Sequence, residues 1–161
     1  MTAVLSSLPE TTFAEYEALK QILDAGSRRM TVRVVSNVSA CGLRFPIYVA
    51  TIGSRDPSAP AIGFFAGIHG LERIGTLLVL DYMRALIGRL EWDDLLHAQL
   101  SAIRLVFMPI VNPGGMWAMR RSNLNGVDLM RNAPQNAEGR VPFLAGGQRI
   151  GPWLPWYRGA R

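Results

Sequence analysis

Residues 61–66 are an apolar run that stops at Gly67-Ile68-His69-Gly70, and a helical pattern begins at about Glu72. A segment apolar at every position suits a strand buried on both faces of a sheet. The helix, over about residues 72–89, places Leu77, Leu80, Leu86 and Ile87 on its apolar side and Asp81, Arg84 and Arg89 on the other. A short amphipathic helix over 93–100 leads into a second apolar strand over 103–111, which Asn112-Pro113-Gly114-Gly115 breaks. Strand, helix and strand in this order demand a crossover within one sheet. Upstream, Thr12 with Glu15 is a candidate capping box for a helix running to about Leu23 and ending near Gly26. Residues 30–35 and 45–52 read as an antiparallel strand pair around Cys41 and Gly42. The expectation is one α/β domain over residues 1–161, a mixed, largely parallel sheet flanked by helices.

Charge narrows the partners. The net charge is +5, and Lys20 is the only lysine, so arginine supplies nearly all of it. The arginines are scattered along the sequence from Arg28 to Arg161 rather than gathered in a run, which argues against a nucleic-acid partner. The single cysteine, Cys41, leaves no internal disulfide and fits a reducing compartment. The N-terminus lacks the basic and apolar regions of a signal peptide, and the longest strongly apolar stretch, 74–80, falls short of the ~20 residues a membrane helix needs. A cytoplasmic protein with no membrane partner is expected.

Chemistry concentrates in two segments. His69 and Glu72, three positions apart at a strand-to-helix junction, have the donor types and spacing to close on one Zn²⁺ ion. The competing reading makes Glu72 a helix-start acid favoured by the dipole and His69 a local hydrogen-bonding residue. The other histidine, His97, falls on a solvent-facing helix position, so a third ligand is missing. The second segment follows the mouth-of-site turn at Asn112. There Arg120, Arg121 and Arg131 flank the turn dipeptide Asn125-Gly126, and two guanidinium groups suit a substrate carboxylate. The plain alternative is a surface loop whose arginines pair with Asp128 or Glu138.

Taken together, from about residue 61 to 132, these segments resemble the zinc carboxypeptidases, the carboxypeptidase A-like metallopeptidases. That family has a strand ending in His-x-x-Glu, a strand ending in Asn-Pro-Asp/Gly-Gly and then an Arg-x-Asn-x-Asn-Gly-Val-Asp-Leu-Asn-Arg-Asn loop. The resemblance implies a zinc-dependent hydrolase of peptide or peptide-like amide bonds. His69 and Glu72 become metal ligands and Arg121 polarises the scissile carbonyl. Arg121, Arg131 and Asn112 form the substrate-binding set for a carboxylate-bearing substrate. Two departures matter. Met130 stands where the family has an Asn, which weakens recognition of a terminal carboxylate. The family's third ligand, catalytic Glu and capping Tyr have no counterpart before Arg161, and neither Glu138 nor Tyr157 fits such a role.

The resemblance therefore covers the N-terminal half of such an enzyme, with the other half on a longer or separate chain. By itself the 161-residue chain is expected to bind zinc weakly and to hydrolyse little. Two other functions compete. Aspartoacylase and succinylglutamate desuccinylase relatives use a similar Gly-x-His-Gly-x-Glu motif on N-acyl amino acids, and a non-catalytic domain binding carboxylates or a partner is the third reading. Residues 139–161 read as a long surface loop carrying an aromatic group of Trp153, Trp156 and Tyr157, and Cys41 reads as a buried structural thiol.

Overall fold

The structure is a computed structural model that describes residues 12–40, 42–131 and 133. The expectations for Cys41, Glu138 and residues 139–161 lie outside the described residues. Helix α1 (Ala14–Ala25) is followed by strands β1 (Thr31–Ala40), β2 (Leu43–Gly53) and β3 (Ala61–Phe65). Helices α2 (Arg73–Arg89) and α3 (Asp94–Ala102), strand β4 (Arg104–Met108) and a short helix α4 (Pro113–Trp117) complete the order.

The four strands form one mixed sheet in the order β1-β2-β4-β3, with helices flanking it as expected. β1 pairs antiparallel with β2, and β2 antiparallel with β4, while β3 and β4 run parallel. Among the described residues the parallel character is thus confined to the β3–β4 crossover. β3 departs from the buried strand its apolar run predicts. Among the described residues it is an edge strand, with Ile62 and Phe65 at 50% and 59% exposure. An apolar strand reads the same whether its second face is covered by a neighbour or left bare, so composition alone does not separate the cases.

One core lies between the sheet and the helices. Phe107 and Leu105 of β4 and Ala50 and Ile52 of β2 meet Tyr16, Leu19 and Ile22 of α1 and Leu80, Met83 and Leu86 of α2. Burial of each such aromatic or aliphatic side chain contributes about 1.5–3 kcal/mol. Along α2 the buried stripe is Thr76, Val79, Leu80, Met83 and Leu86, whereas Leu77 is exposed. Asp93 caps α3 by accepting from the Leu96 amide at 2.9 Å. No helix among the described residues is long and apolar enough to cross a membrane.

The capping box expected at α1 does not form. Phe13 occupies the cap position without a side-chain bond to the helix, and Thr12 donates to Glu17 instead. Glu15 is drawn away by a stronger partner. Both of its carboxylate oxygens accept from Arg73 Nη1, at 2.6 and 2.7 Å. Arg73 Nη2 also donates to the Met116 carbonyl at 3.0 Å, so this arginine joins α1, the start of α2 and α4. Glu15→Ala removes the carboxylate partner of a half-buried guanidinium and is expected to lower stability by about 1.5–3 kcal/mol. Urea unfolding checks this, and a midpoint unchanged from wild type sinks the idea that the pair braces the fold.

Candidate metal centre and substrate cleft

Two loops at the C-terminal ends of the parallel strands build the site. The pairing of β3 with β4 continues past both strands, through Val111 N to Ala66 O and Asn112 N to Gly67 O, each 2.9 Å. This carries residues 67–70 alongside residues 112–115. Gly67 turns with φ +64°, a conformation that costs glycine nothing. Asn112 then locks the two loops together. Its side-chain oxygen accepts from the Gly115 amide at 2.9 Å and its side-chain nitrogen donates to the Ile68 carbonyl at 3.1 Å. With Pro113 at the first helical position, that cap converts the expected irregular break into the one-turn helix α4. The motif contains both helix-start signals, but its paired glycines read first as a breaker.

The chain leaves α4 through Met119, with φ +54°, and Arg121 two residues on reaches the site. Asn123 then organises the turn predicted at Asn125-Gly126. Its side-chain oxygen accepts from the amides of Asn125 and Val127, each at 3.0 Å, and Gly126 takes φ +76°. The outcome of this tight loop is that Asp128 returns beneath Arg121.

His69, Glu72, Arg121 and Asp128 form one connected group. His69 Nδ1 lies 2.8 Å from Glu72 Oε1. Arg121 donates from Nη1 to Glu72 Oε1 at 3.2 Å and from Nε to Asp128 Oδ2 at 2.8 Å. Asp128 Oδ1 accepts from the Arg131 amide at 3.0 Å and lies 3.4 Å from His69 Nε2. The group grades from buried to open, since Asp128 is 0% exposed and the Glu72 side chain is 64% exposed. Burial by itself raises the Asp128 carboxyl's pKa. The Arg131 amide, the Arg121 guanidinium and the His69 ring outweigh that effect and hold the group below the ordinary carboxylate range.

Glu72 sits at the cap position of α2, yet its side chain makes no bond to the helix amides. It turns instead toward His69 and Arg121, which the simple helix-start reading does not explain. The imidazole faces a carboxylate through each nitrogen, and Nε2 is buried without a hydrogen bond. A neutral ring has one N–H to offer two carboxylates, so one lone pair is left facing negative charge. A cation beside Nδ1 and Glu72 relieves that conflict while Nε2–H is directed to Asp128. The donor set thus fits a zinc ion as two of its ligands. Among the described residues no group of three or more His, Cys, Asp or Glu side chains is placed to hold a metal ion.

The remaining candidates are placed less directly. The Arg131 side chain is exposed, and its tie to the group is the main-chain bond to Asp128. Asn112 is 3% exposed and braces the loops from behind. His97 is exposed on α3, with Nε2 3.0 Å from the Leu90 carbonyl. Sequence reasoning missed Asp128 as the hub of the site and gave it only the role of a surface counter-ion. It also missed Arg73, the residue next to Glu72.

Comparison with known proteins bears on the family and on the fold. The sequence model described as zinc carboxypeptidase matches residues 18–149. Carboxypeptidase SOL1 of Arabidopsis thaliana is 31% identical over 93 residues, covering 56% of this chain and 19% of that protein. Carboxypeptidase E of Caenorhabditis elegans is 30% identical over 100 residues, covering 54% and 21%. The chain therefore spans about a fifth of the length of these relatives. In fold it resembles the metallo-carboxypeptidase of Burkholderia cenocepacia, with TM-score 0.59, 18% identity and coverage of 77% of this chain and 33% of that one. Bovine thrombin-activatable fibrinolysis inhibitor is comparable, with TM-score 0.57, 20% identity and coverage of 77% and 44%. With its family model matched over most of its length, the chain belongs to the zinc carboxypeptidases.

Proposed function

We propose that this chain carries part of the active site of a zinc-dependent carboxypeptidase acting on peptide or peptide-like substrates. The convergence of His69 Nδ1 and Arg121 on one oxygen of Glu72 carries this reading, because it unites segments 49 residues apart in sequence. His69 and Glu72 are the metal ligands. When bound, zinc supplies Lewis acidity toward a carbonyl group. Asp128 holds the His69 ring in one orientation and fixes the plane of Arg121. Arg121, half-buried and already oriented, offers positive charge to a carbonyl oxygen without reorganising. Arg131, open to solvent, takes a substrate carboxylate, while Asn112 holds the cleft wall against which the substrate lies.

The family match favours this branch over the N-acyl amino acid hydrolases. A further segment, on this polypeptide or another, is part of the reading. Ile62, Phe65, Ile74 and Leu78 are all at least half exposed around the β3 edge, an apolar group that a covering segment would bury. The single cysteine supports a cytoplasmic setting.

Zinc affinity tests the assignment. His69→Ala and Glu72→Ala are each expected to weaken zinc binding by about 100-fold or more, beyond the 10–100-fold typical of outer partners. Equilibrium dialysis against competing chelators measures it. Retained affinity in both variants excludes these two ligands.

A further inference from the structure

A second site lies at the other end of the sheet. The metal centre sits beyond the C-terminal ends of β3 and β4. The register pairs Thr31 with Thr51 and Gly53 with Arg104, which brings the start of β1, the end of β2 and the start of β4 to the opposite edge. A cavity of about 720 Å³ opens there. Thr31 and Arg33, Thr51 and Gly53, and Arg104 and Val106 line it two by two. Side chains two apart in a strand share a face. The alternate residues Ala50, Ile52, Leu105 and Phe107 point into the core, so the cavity lies on the sheet face away from it.

Five arginines, Arg28, Arg29, Arg33, Arg55 and Arg104, surround this one space. Their counter-charges are few. Arg29 lies 3.4 Å from Glu91, and Arg104 donates to the Pro57 carbonyl at 3.4 Å with Asp56 nearby. The side chains of Arg28, Arg33 and Arg55 meet no acid or acceptor among the described residues. Gathering like charges is unfavourable by itself, and a multivalent anion reverses the sign. The cavity volume falls within the range of small-molecule sites.

The geometry points to a binding site for a compact, non-aromatic polyphosphate. Guanidinium groups grip phosphate oxygens in pairs, and the hydroxyls of Ser27, Thr31, Thr51 and Ser54 stand beside them as further donors. Among the described residues no aromatic side chain lines the cavity, so they offer no platform on which a nucleobase stacks. The site shares no residue with the metal centre, and polyphosphate binding there is independent of zinc.

Isothermal titration of the full chain with inorganic tripolyphosphate at about 0.15 M salt tests this. Saturable one-to-one binding is expected, about tenfold tighter than citrate and unchanged by His69→Ala. Arg33→Gln and Arg55→Gln remove exposed side chains that have no partner among the described residues, without disturbing the core. Each is expected to weaken binding about tenfold, whereas Arg84→Gln, on α2 and paired with Asp81, leaves it unchanged. Absence of saturable binding, indifference to Arg33→Gln and Arg55→Gln, equal affinity for citrate, or preference for a single-stranded oligonucleotide would each overturn the proposal.

Discussion

Gly70→Ala is expected to lower the stability of this chain by about 3 kcal/mol or more and to weaken metal binding with it. A methyl group at Gly70 would stand 2.1 Å from the Gly115 carbonyl carbon and 2.3 Å from both the Gly115 oxygen and the Met116 nitrogen. All three are backbone atoms, so no rotamer change relieves the clash. The loops must separate, and the Asn112 bonds to Ile68 and Gly115 are the contacts they would lose. His69 is the residue next to Gly70, so its ring would move with them. The effect is steric, since Gly70 is not among the glycines with positive φ. Gly88→Ala supplies the contrast. Near the end of α2 its added methyl meets nothing within 4 Å, and helix propensity predicts a gain of up to about 1 kcal/mol. Urea denaturation of both variants decides the matter. A Gly70→Ala midpoint close to wild type would mean that the loops do not approach as closely as described.

The contact explains which parts of the site were legible in the sequence. His69, Glu72 and Arg121 were legible because the two segments together carry the family resemblance, although neither is specific alone, and the structure brings all three together. The strand–helix–strand order around them follows from apolar periodicity, and α2 begins within one residue of its expected start. What stayed hidden depends on long-range partners. Glu15 has the spacing of a cap residue, yet Arg73, 58 residues away, captures it. Asp128 has the composition of a surface acid, and only the turn built by Asn123 carries it into the interior. The arginines of the second cavity are scattered in sequence, and the strand register gathers them. Dispersed charge along a chain therefore says little about dispersion in space.

Asp128→Ala is expected to cost about 3–5 kcal/mol at neutral pH, the range for removing one partner of a buried ion pair. The carboxylate is fully buried and accepts from Arg121 and the Arg131 amide, so both donors lose their acceptor and His69 Nε2 loses the charge it faces. Asp128→Asn keeps the shape and removes the charge, which isolates the electrostatic part. Its sign with pH follows from the lowered pKa of the folded state. The stabilising contribution is fully present above the unfolded value of about 3.9. It is lost as pH falls through the lower folded value. The stability gap between wild type and Asp128→Asn, measured with chelator present, should thus close progressively as pH falls below about 4. A gap that persists unchanged to strongly acidic pH would show that the carboxylate is not held ionised by these partners. Metal affinity provides a second readout that packing alone does not move. If Asp128 orients His69, Asp128→Asn should weaken zinc binding by about 10–100-fold while the folded fraction at neutral pH stays high.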